Sequence, residues 1–505
     1  MKLLKKVEAL HWILILALPL MLVACSSSRS SFSPNKKFSA DQLRQDYTIF
    51  RNMLEDAHPS LYWYTPKDSI DYYFVQGYNR IKDSMTEPGF RTLLSYVLAK
   101  INCGHTTARY SKKYNQYLEV AKLKAFPLSV KIWKDTMVVT AILNRKDSVL
   151  KRGTPILRIN GIKQQEIVDS LGQYLSSDGF NEVAIYQQLS NRGTFGGWYR
   201  NVYGLTPKFE IEYLDSNGNT ARTIIPIYDP LKDSGTTSPG ARIKFTKKQI
   251  SQQRLFITRN LQVDTLLNTG FMTLSSFSRG NLLSSFFSRS FKLLNKRKIG
   301  QLVIDVRSNG GGDASLSTLL TRYLIDHPFK VADSLYTSKR SSKYGSRIDR
   351  QWLYWIAMQF VTHRKSDGKY HFGYFERHYF NPKIKHHFNG HVYILTGGNS
   401  FSATTLFAAA LKGQKNVTLV GEETGGAAYG NTAWMIPDAR LPNTKMGFRL
   451  PKFRLVMNKH GVKNGRGVQP DVYAGPTVET IKNGIDYKVE KARELIKTDS
   501  LKLNH

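Results

Sequence analysis

The sequence predicts an α/β protein with a helical N-terminal region and a β-rich region in between. Two stretches carry the α/β expectation. Gln301 to Val306 is a near-continuous apolar run; it breaks at Arg307-Ser308-Asn309-Gly310-Gly311-Gly312 and gives way to helical spacing from Ala314 to Ile325. His391 to Thr396 repeats the pattern. A β-branched and aromatic run turns at Gly397-Gly398-Asn399-Ser400, and Ala403, Leu406, Phe407, Ala410 and Leu411 follow at helical spacing. Strand, tight turn and helix in this rhythm are what an α/β sheet requires.

The chain has 505 residues, 41% of them hydrophobic and 12% aromatic, which is enough apolar material for two or three globular domains. It starts with Lys2, Lys5 and Lys6, an apolar run from Trp12 to Ala24, and Leu22-Val23-Ala24-Cys25 followed by three serines. The apolar run is short of the roughly 20 residues that span a bilayer. A basic start and a short apolar run closing on a small residue and Cys resemble the lipobox of bacterial lipoproteins. That resemblance implies a signal peptide over residues 1–24 and lipidation of Cys25. The mature protein would then be held by its acyl chains at a membrane of the cell envelope, facing the periplasm or the cell surface. Cys103 is the other of the two cysteines, so no intramolecular disulfide is expected.

Residues 25–37 form a polar tether. Ser39 and Gln42 have capping-box spacing, and Leu43, Tyr47, Phe50 and Leu54 recur at helical steps. Tyr72 to Ile81 and Phe90 to Ile101 read as further helices, so residues 38–118 form a helical region carrying the stretch Cys103-Gly104-His105-Thr106. From Phe126 the texture turns to β, with strands at 127–130, 137–142 and 154–160 and turns at Gly153 and Gly161. Gly153-Thr154-Pro155-Ile156-Leu157-Arg158-Ile159-Asn160-Gly161, leading into a helix, resembles the second half of a PDZ domain, a peptide-binding module. An anonymous β-rich insert over residues 119–190 fits equally well. Residues 191–252 read as a β-rich connector ending in a linker, and 253–497 as the α/β domain. Trp352, Trp355, Ile356 and Phe360 share one helix face, expected to cover the core, with a membrane-surface or lid role left open.

The formal net charge of +35 raises nucleic acid as a partner. The basic residues are spread through the chain without a zinc-finger or helix-turn-helix pattern, so no nucleic-acid partner is expected. A surface that faces an anionic envelope and adsorbs salt-dependently explains the charge better. His386, His387 and His391 have no carboxylate or Cys at ligand spacing, so neither a metal nor another cofactor is expected.

Ser402 stands where a strand ends and a helix starts. Locally an N-cap is the favoured reading of such a serine; the alternative is a nucleophile lifted clear of the sheet, with helix N–H groups aimed at the reacting atom. A serine nucleophile needs a base, and His is matched to that near neutral pH. Backbone N–H groups at a glycine turn can hold an oxyanion.

Four ordered phrases bring these pieces together: Asp305-Val306-Arg307-Ser308-Asn309-Gly310-Gly311-Gly312, Ser400-Phe401-Ser402-Ala403-Thr404, Gly421-Glu422-Glu423-Thr424-Gly425-Gly426, and Gly467-Val468-Gln469-Pro470-Asp471. In this order they resemble the C-terminal processing (tail-specific) serine proteases, across most of residues 40 to 497. The resemblance implies a crotonase-like or Clp-protease-like catalytic domain, Ser402 as nucleophile and a peptide or protein substrate. Members with a Ser–Lys dyad carry the lysine at the position of Ala427, which cannot act as a base. The tricorn-like branch uses a histidine ahead of the PDZ-like domain, which implies His105 as base. That branch also has a serine before the histidine and a late glutamate, where this chain has Gly104 and Asn464. The implied oxyanion donors are the N–H groups of Gly311 and Ala403. Glu422 and Glu423 are candidates for orienting His105, as is an amide or a backbone carbonyl. The expected activity is that of a serine-type peptidase acting on envelope proteins or peptides. A catalytically inactive peptide-binding lipoprotein and an esterase with the same site are the alternatives.

Overall fold

A computed structural model describes residues 32–144, 149–232 and 246–503; the lipobox, Cys25 included, lies outside them. The chain is mixed α/β. Its C-terminal half is built on a six-stranded sheet whose spatial order follows the sequence: Arg259–Asp264, Thr269–Leu274, Gln301–Asp305, His391–Thr396, Val417–Gly421 and Val472–Tyr473. The first pair is antiparallel and every later pair parallel. Strands buried on both faces read as continuous apolar runs, which is why Leu302 to Ile304 and Val392 to Leu395 are almost wholly shielded. The helices Leu283–Lys296, Ala314–Arg322 and Ala403–Leu411 pack through Phe287, Phe291, Leu320, Phe407 and Leu411 into the core on one face. The other face is covered by the C-terminal helix Tyr487–Leu503 through Ala492 and Ile496.

Asp305 and Leu395 are register partners in adjacent parallel strands. The turns that follow the two strands therefore emerge side by side at the C-terminal edge, where open α/β sheets place their ligands.

The N-terminal helices Ala40–Ala57, Lys67–Asn79 and Glu87–Ala99 form where expected, the first with its Ser39–Gln42 capping box. Their core does not close on itself. Leu43, Phe50, Phe74, Phe90 and Leu94 share one buried cluster with Met446, Phe448 and Leu450 from the far end of the chain. The short strand Ala108–Arg109 pairs antiparallel with Gly447 and Phe448, fixing this region to the α/β half.

In the middle of the chain, Leu128–Trp133 and Thr136–Ile142 form a hairpin. The stretch from residue 191 is not a separate connector. Lys208–Leu214 pairs with Ile156–Ile159, and Phe209, Ile211 and Ile225 share a core with Val130, Ile156 and Leu171. The linker expected up to residue 252 instead closes in a helix, Lys247–Thr258, started by a Thr246–Gln249 capping box.

One expectation about packing is overturned. The helix Gln351–Val361 forms, but Trp352, Trp355, Ile356 and Phe360 face solvent, and Met358, fully buried, reaches the core with Tyr354 packed beside it.

Candidate active site

Ser402 does not cap its helix. It has φ 56° and ψ −120°, and its side chain makes no capping hydrogen bond. A non-glycine residue held in such a sparsely populated region costs about 1–3 kcal/mol and persists only where its surroundings over-determine it. Here the surroundings do. Ser400 Oγ donates to the Val306 carbonyl at 2.9 Å and accepts from the Gly397 N–H at 3.2 Å, and the Phe401 N–H donates to the Asn309 carbonyl at 3.1 Å. The two strand-end turns are thus sewn together. Gly311, at φ 98°, packs so closely that a Cβ there would lie 2.7 Å from Ser402 Cβ and 2.8 Å from the Phe401 carbonyl oxygen.

Freed from capping, Ser402 Oγ lies 3.0 Å from Nε2 of His105, 297 residues earlier in the chain. Several contacts deliver the imidazole. Beyond the Ala108–Arg109 pairing, Thr106 Oγ1 meets His58 Nε2 at 2.8 Å, and the Phe401 ring lies 4.5 Å from the His105 ring. The loop of residues 176–181 holds the same segment from the other side. Ser176 Oγ donates to the Thr106 carbonyl, the Gly179 N–H to the Asn102 carbonyl, and the Gly104 N–H to Asp178 Oδ1 at 2.8 Å. Gly104 is needed for this fit: a Cβ would come within 2.7 Å of the Phe401 ring and 3.2 Å of Asp178 Oδ1.

His105 is 4% exposed, and burial, reinforced by the Arg449 cation, lowers its pKa to about 3. Its Nδ1 meets no hydrogen-bond partner among the described residues. The imidazole is therefore neutral at neutral pH and free to accept the serine proton at Nε2, while no carboxylate among the described residues is hydrogen-bonded to its Nδ1 to offset the charge of the imidazolium. Burial pushes Asp178 the opposite way, to about 6, against the pull of the Gly104 N–H, the Arg454 cation and the Ala427 N–H.

Neither glutamate proposed to orient His105 reaches it. Glu422 forms a buried ion pair with Lys488 at 2.8 Å, and Glu423 accepts from the Arg466 guanidinium and the Gly467 N–H. The strand Val417–Gly421 ends on the side of the C-terminal helix and the 465–468 turn, so both carboxylates brace those elements. The expectation for Gly311 also changes, because its N–H donates to Asn309 Oδ1 at 2.9 Å. Its neighbour Gly312 stands differently. Phe277 bridges to the Gly311 carbonyl and the Asp313 N–H, so the Gly312 peptide N–H points away from that partner. Gly312 lines a cavity of about 470 Å³ with Ser402, Ala403, Leu406, Asn431 and Trp434. Ala403 opens the helix, so its N–H has no intrahelical partner. Ala427 is fully buried, as its side chain would demand. No group of three or more His, Cys, Asp or Glu that could hold a metal occurs among the described residues.

Sequence reasoning missed Asp178, Phe401 and Arg449 as neighbours of the histidine. Phe401 sits inside the serine phrase and was within reach. Asp178 lies in Ser176-Ser177-Asp178-Gly179, which reads as any polar loop.

Residues 268–474 match the family model described as peptidase family S41. Among solved structures, mature CPAF superposes with a TM-score of 0.60 at 15% identity, over 91% of this chain and 98% of that one. Mature CPAF complexed with lactacystin gives 0.61 at 14% identity, over 92% and 99%. At such identities the likeness is one of fold. No curated protein matches the sequence.

Proposed function

Because this chain belongs to peptidase family S41 through residues 268–474, and is a serine peptidase, we propose that Ser402 is its nucleophile and His105 its general base. The observation that carries this reading is the 3.0 Å contact between Ser402 Oγ and His105 Nε2, made by a serine that caps nothing. In the proposed reaction Nε2 takes the hydroxyl proton as Oγ attacks the peptide carbonyl. The N–H groups of Ala403 and Gly312, which share the cavity with Oγ, receive the oxyanion. His105 then passes the proton to the leaving amine, and a water activated by the same imidazole releases the acyl group. A fluorophosphonate probe tests the assignment. Labelling of the full chain should vanish in Ser402→Ala and fall by orders of magnitude in His105→Gln. Labelling that survives Ser402→Ala refutes it, and a wild-type chain that is never labelled supports an inactive, peptide-binding protein.

The finer architecture belongs to the same proposal. The run of parallel strands with Ser402 following the fourth supports a crotonase-like or Clp-protease-like domain over residues 253–497, behind a helical region at 38–118. A PDZ-like character for the β-rich region, extended to residue 227 by its shared sheet and core, is supported by a cavity of about 500 Å³ that the strand Leu128–Trp133 and the helix Glu182–Ser190 line together with Glu422, Glu423, Arg466 and Tyr473 of the α/β half. Tyr186→Ala, on the wall of that cavity, should weaken peptide binding measured by fluorescence anisotropy; unchanged affinity argues against a peptide groove there. Lipidation at Cys25 and residence in the bacterial envelope rest on the lipobox resemblance. Globomycin should accumulate the unprocessed chain, and unchanged processing rejects the anchor.

A further inference from the structure

The helix Gln351–Val361 carries an apolar face that nothing among the described residues covers. Trp352, Leu353, Trp355, Ile356 and Phe360 are 64%, 44%, 47%, 41% and 79% exposed. Single exposed apolar residues are ordinary, but five large ones on one arc of an eleven-residue helix are not. The helix is firmly seated on its opposite side. Met358 is fully buried against Ala332, Leu335, Phe453 and Leu455. Its C-terminal end is held by Arg340, which donates to Gln359 Oε1 at 2.8 Å and Thr362 Oγ1 at 2.9 Å. The exposed face is thus a fixed feature of the fold.

Its rim is cationic. Lys343, Arg350 and Arg364 are exposed and meet no carboxylate among the described residues. The neighbouring acids are already engaged: Asp349 with Arg440, Glu376 with Lys365 and His371, and Asp367 with His371.

We propose that this face docks into the headgroup layer of an anionic lipid membrane. Tryptophan and phenylalanine rings settle at the boundary between headgroups and acyl chains, and flanking cations are drawn to anionic lipid. A second copy of this chain is a poorer occupant. Two-fold pairing would set the cationic rims against each other without free carboxylates between them, in a chain already carrying +35. The inference is independent of the peptidase assignment and of the N-terminal anchor, because it concerns how this helix meets the bilayer.

Tryptophan quenching tests it. The full-length chain, with Trp12→Phe in every variant so that the N-terminal apolar run carries no tryptophan, is reconstituted into vesicles with brominated acyl chains, made either of phosphatidylcholine alone or with one part in three phosphatidylglycerol. The expected result is quenching in the anionic vesicles that weakens with added salt, is smaller in the neutral ones, and disappears in W352F/W355F. The exposed charge-reversal variant R350E/R364E, with its circular dichroism unchanged, should lower the docked-to-undocked ratio by about 25-fold or more, taking about fivefold per cation. No quenching in either vesicle, or quenching untouched by W352F/W355F, overturns the proposal. So does a two-chain particle by light scattering in detergent that R350E/R364E alters while quenching stays absent, since that outcome makes the face a contact between copies.

Discussion

Replacing Asp178 with Asn should make this protein lose stability in acid more steeply than it does with the native residue. Three buried groups govern the comparison. His58 and His105 are each held at about 3 against an ordinary 6.5, by burial first, then by Arg454 for His58 and Arg449 for His105. Asp178 is held at about 6 against an ordinary 3.8, again by burial first. Between about pH 6 and about pH 4 the unfolded chain carries a proton on both histidines and none on the aspartate, while the folded chain carries only the aspartate's. The signs oppose. The histidines' contribution is complete above 6.5 and is lost as pH falls toward 3; the aspartate's is complete below 3.8 and is lost as pH rises through 6. The net difference is one proton, or about 1.4 kcal/mol of stability lost per pH unit of acidification from these groups. Asp178→Asn raises the difference to two protons and the slope by about 1.4 kcal/mol per unit, whereas His58→Gln lowers it by the same amount. Urea unfolding followed by circular dichroism across this range gives the slopes, and the other carboxylates contribute equally to each variant. A slope for Asp178→Asn equal to or shallower than that of the native chain refutes the reasoning.

Other consequences follow from the same geometry. If His105 is the base, kcat/KM should not fall as pH drops through 6.5, because the imidazole is already neutral; an inflection near 6 that vanishes in Asp178→Asn identifies the aspartate, and one at 6.5 that survives rejects a buried base. Gly311→Ala forces a Cβ into Ser402 at a φ of 98°, and displacing the nucleophile by even about 1 Å should lower kcat/KM roughly 100-fold, read with a peptide substrate. Lys488→Met leaves the buried Glu422 carboxylate without its partner and should cost about 3–5 kcal/mol in urea unfolding; a loss below about 1 kcal/mol would mean the pair is solvated.

The strand Gln301–Asp305, the glycine turn after it, and the strand–turn–helix around Ser402 were legible because each depends on a few adjacent residues. A buried parallel strand needs an apolar run, the turn needs glycines, and the helix needs helix formers. The serine phrase, however, could not distinguish a cap from a nucleophile. Backbone strain at Ser402 and the absence of a capping bond remove the cap, which supports the proposal of a nucleophile, and both arise beside the neighbouring Asn309–Gly312 turn. The apolar positions of the Gln351–Val361 helix misled because periodicity locates a face without saying what lies opposite; Met358 and Tyr354, on the other side, are the ones that met the core.

By itself the sequence determined the elements of the α/β half, the phrases at Gly311 and Ser402, and the presence of Ala427, which has no basic side chain, where the family resemblance puts a lysine. Those are matters of local backbone preference and side-chain identity. Only the tertiary structure decided what stands around the histidine. The pairing of Ala108–Arg109 with Gly447–Phe448 brings His105 to a serine 297 residues away, the 176–181 loop supplies Asp178, and the strand ending at Gly421 turns Glu422 and Glu423 toward Lys488 and Arg466. Those partners come from segments far apart in the chain, and which of them meet depends on strand order and core closure, which no local pattern of residues encodes.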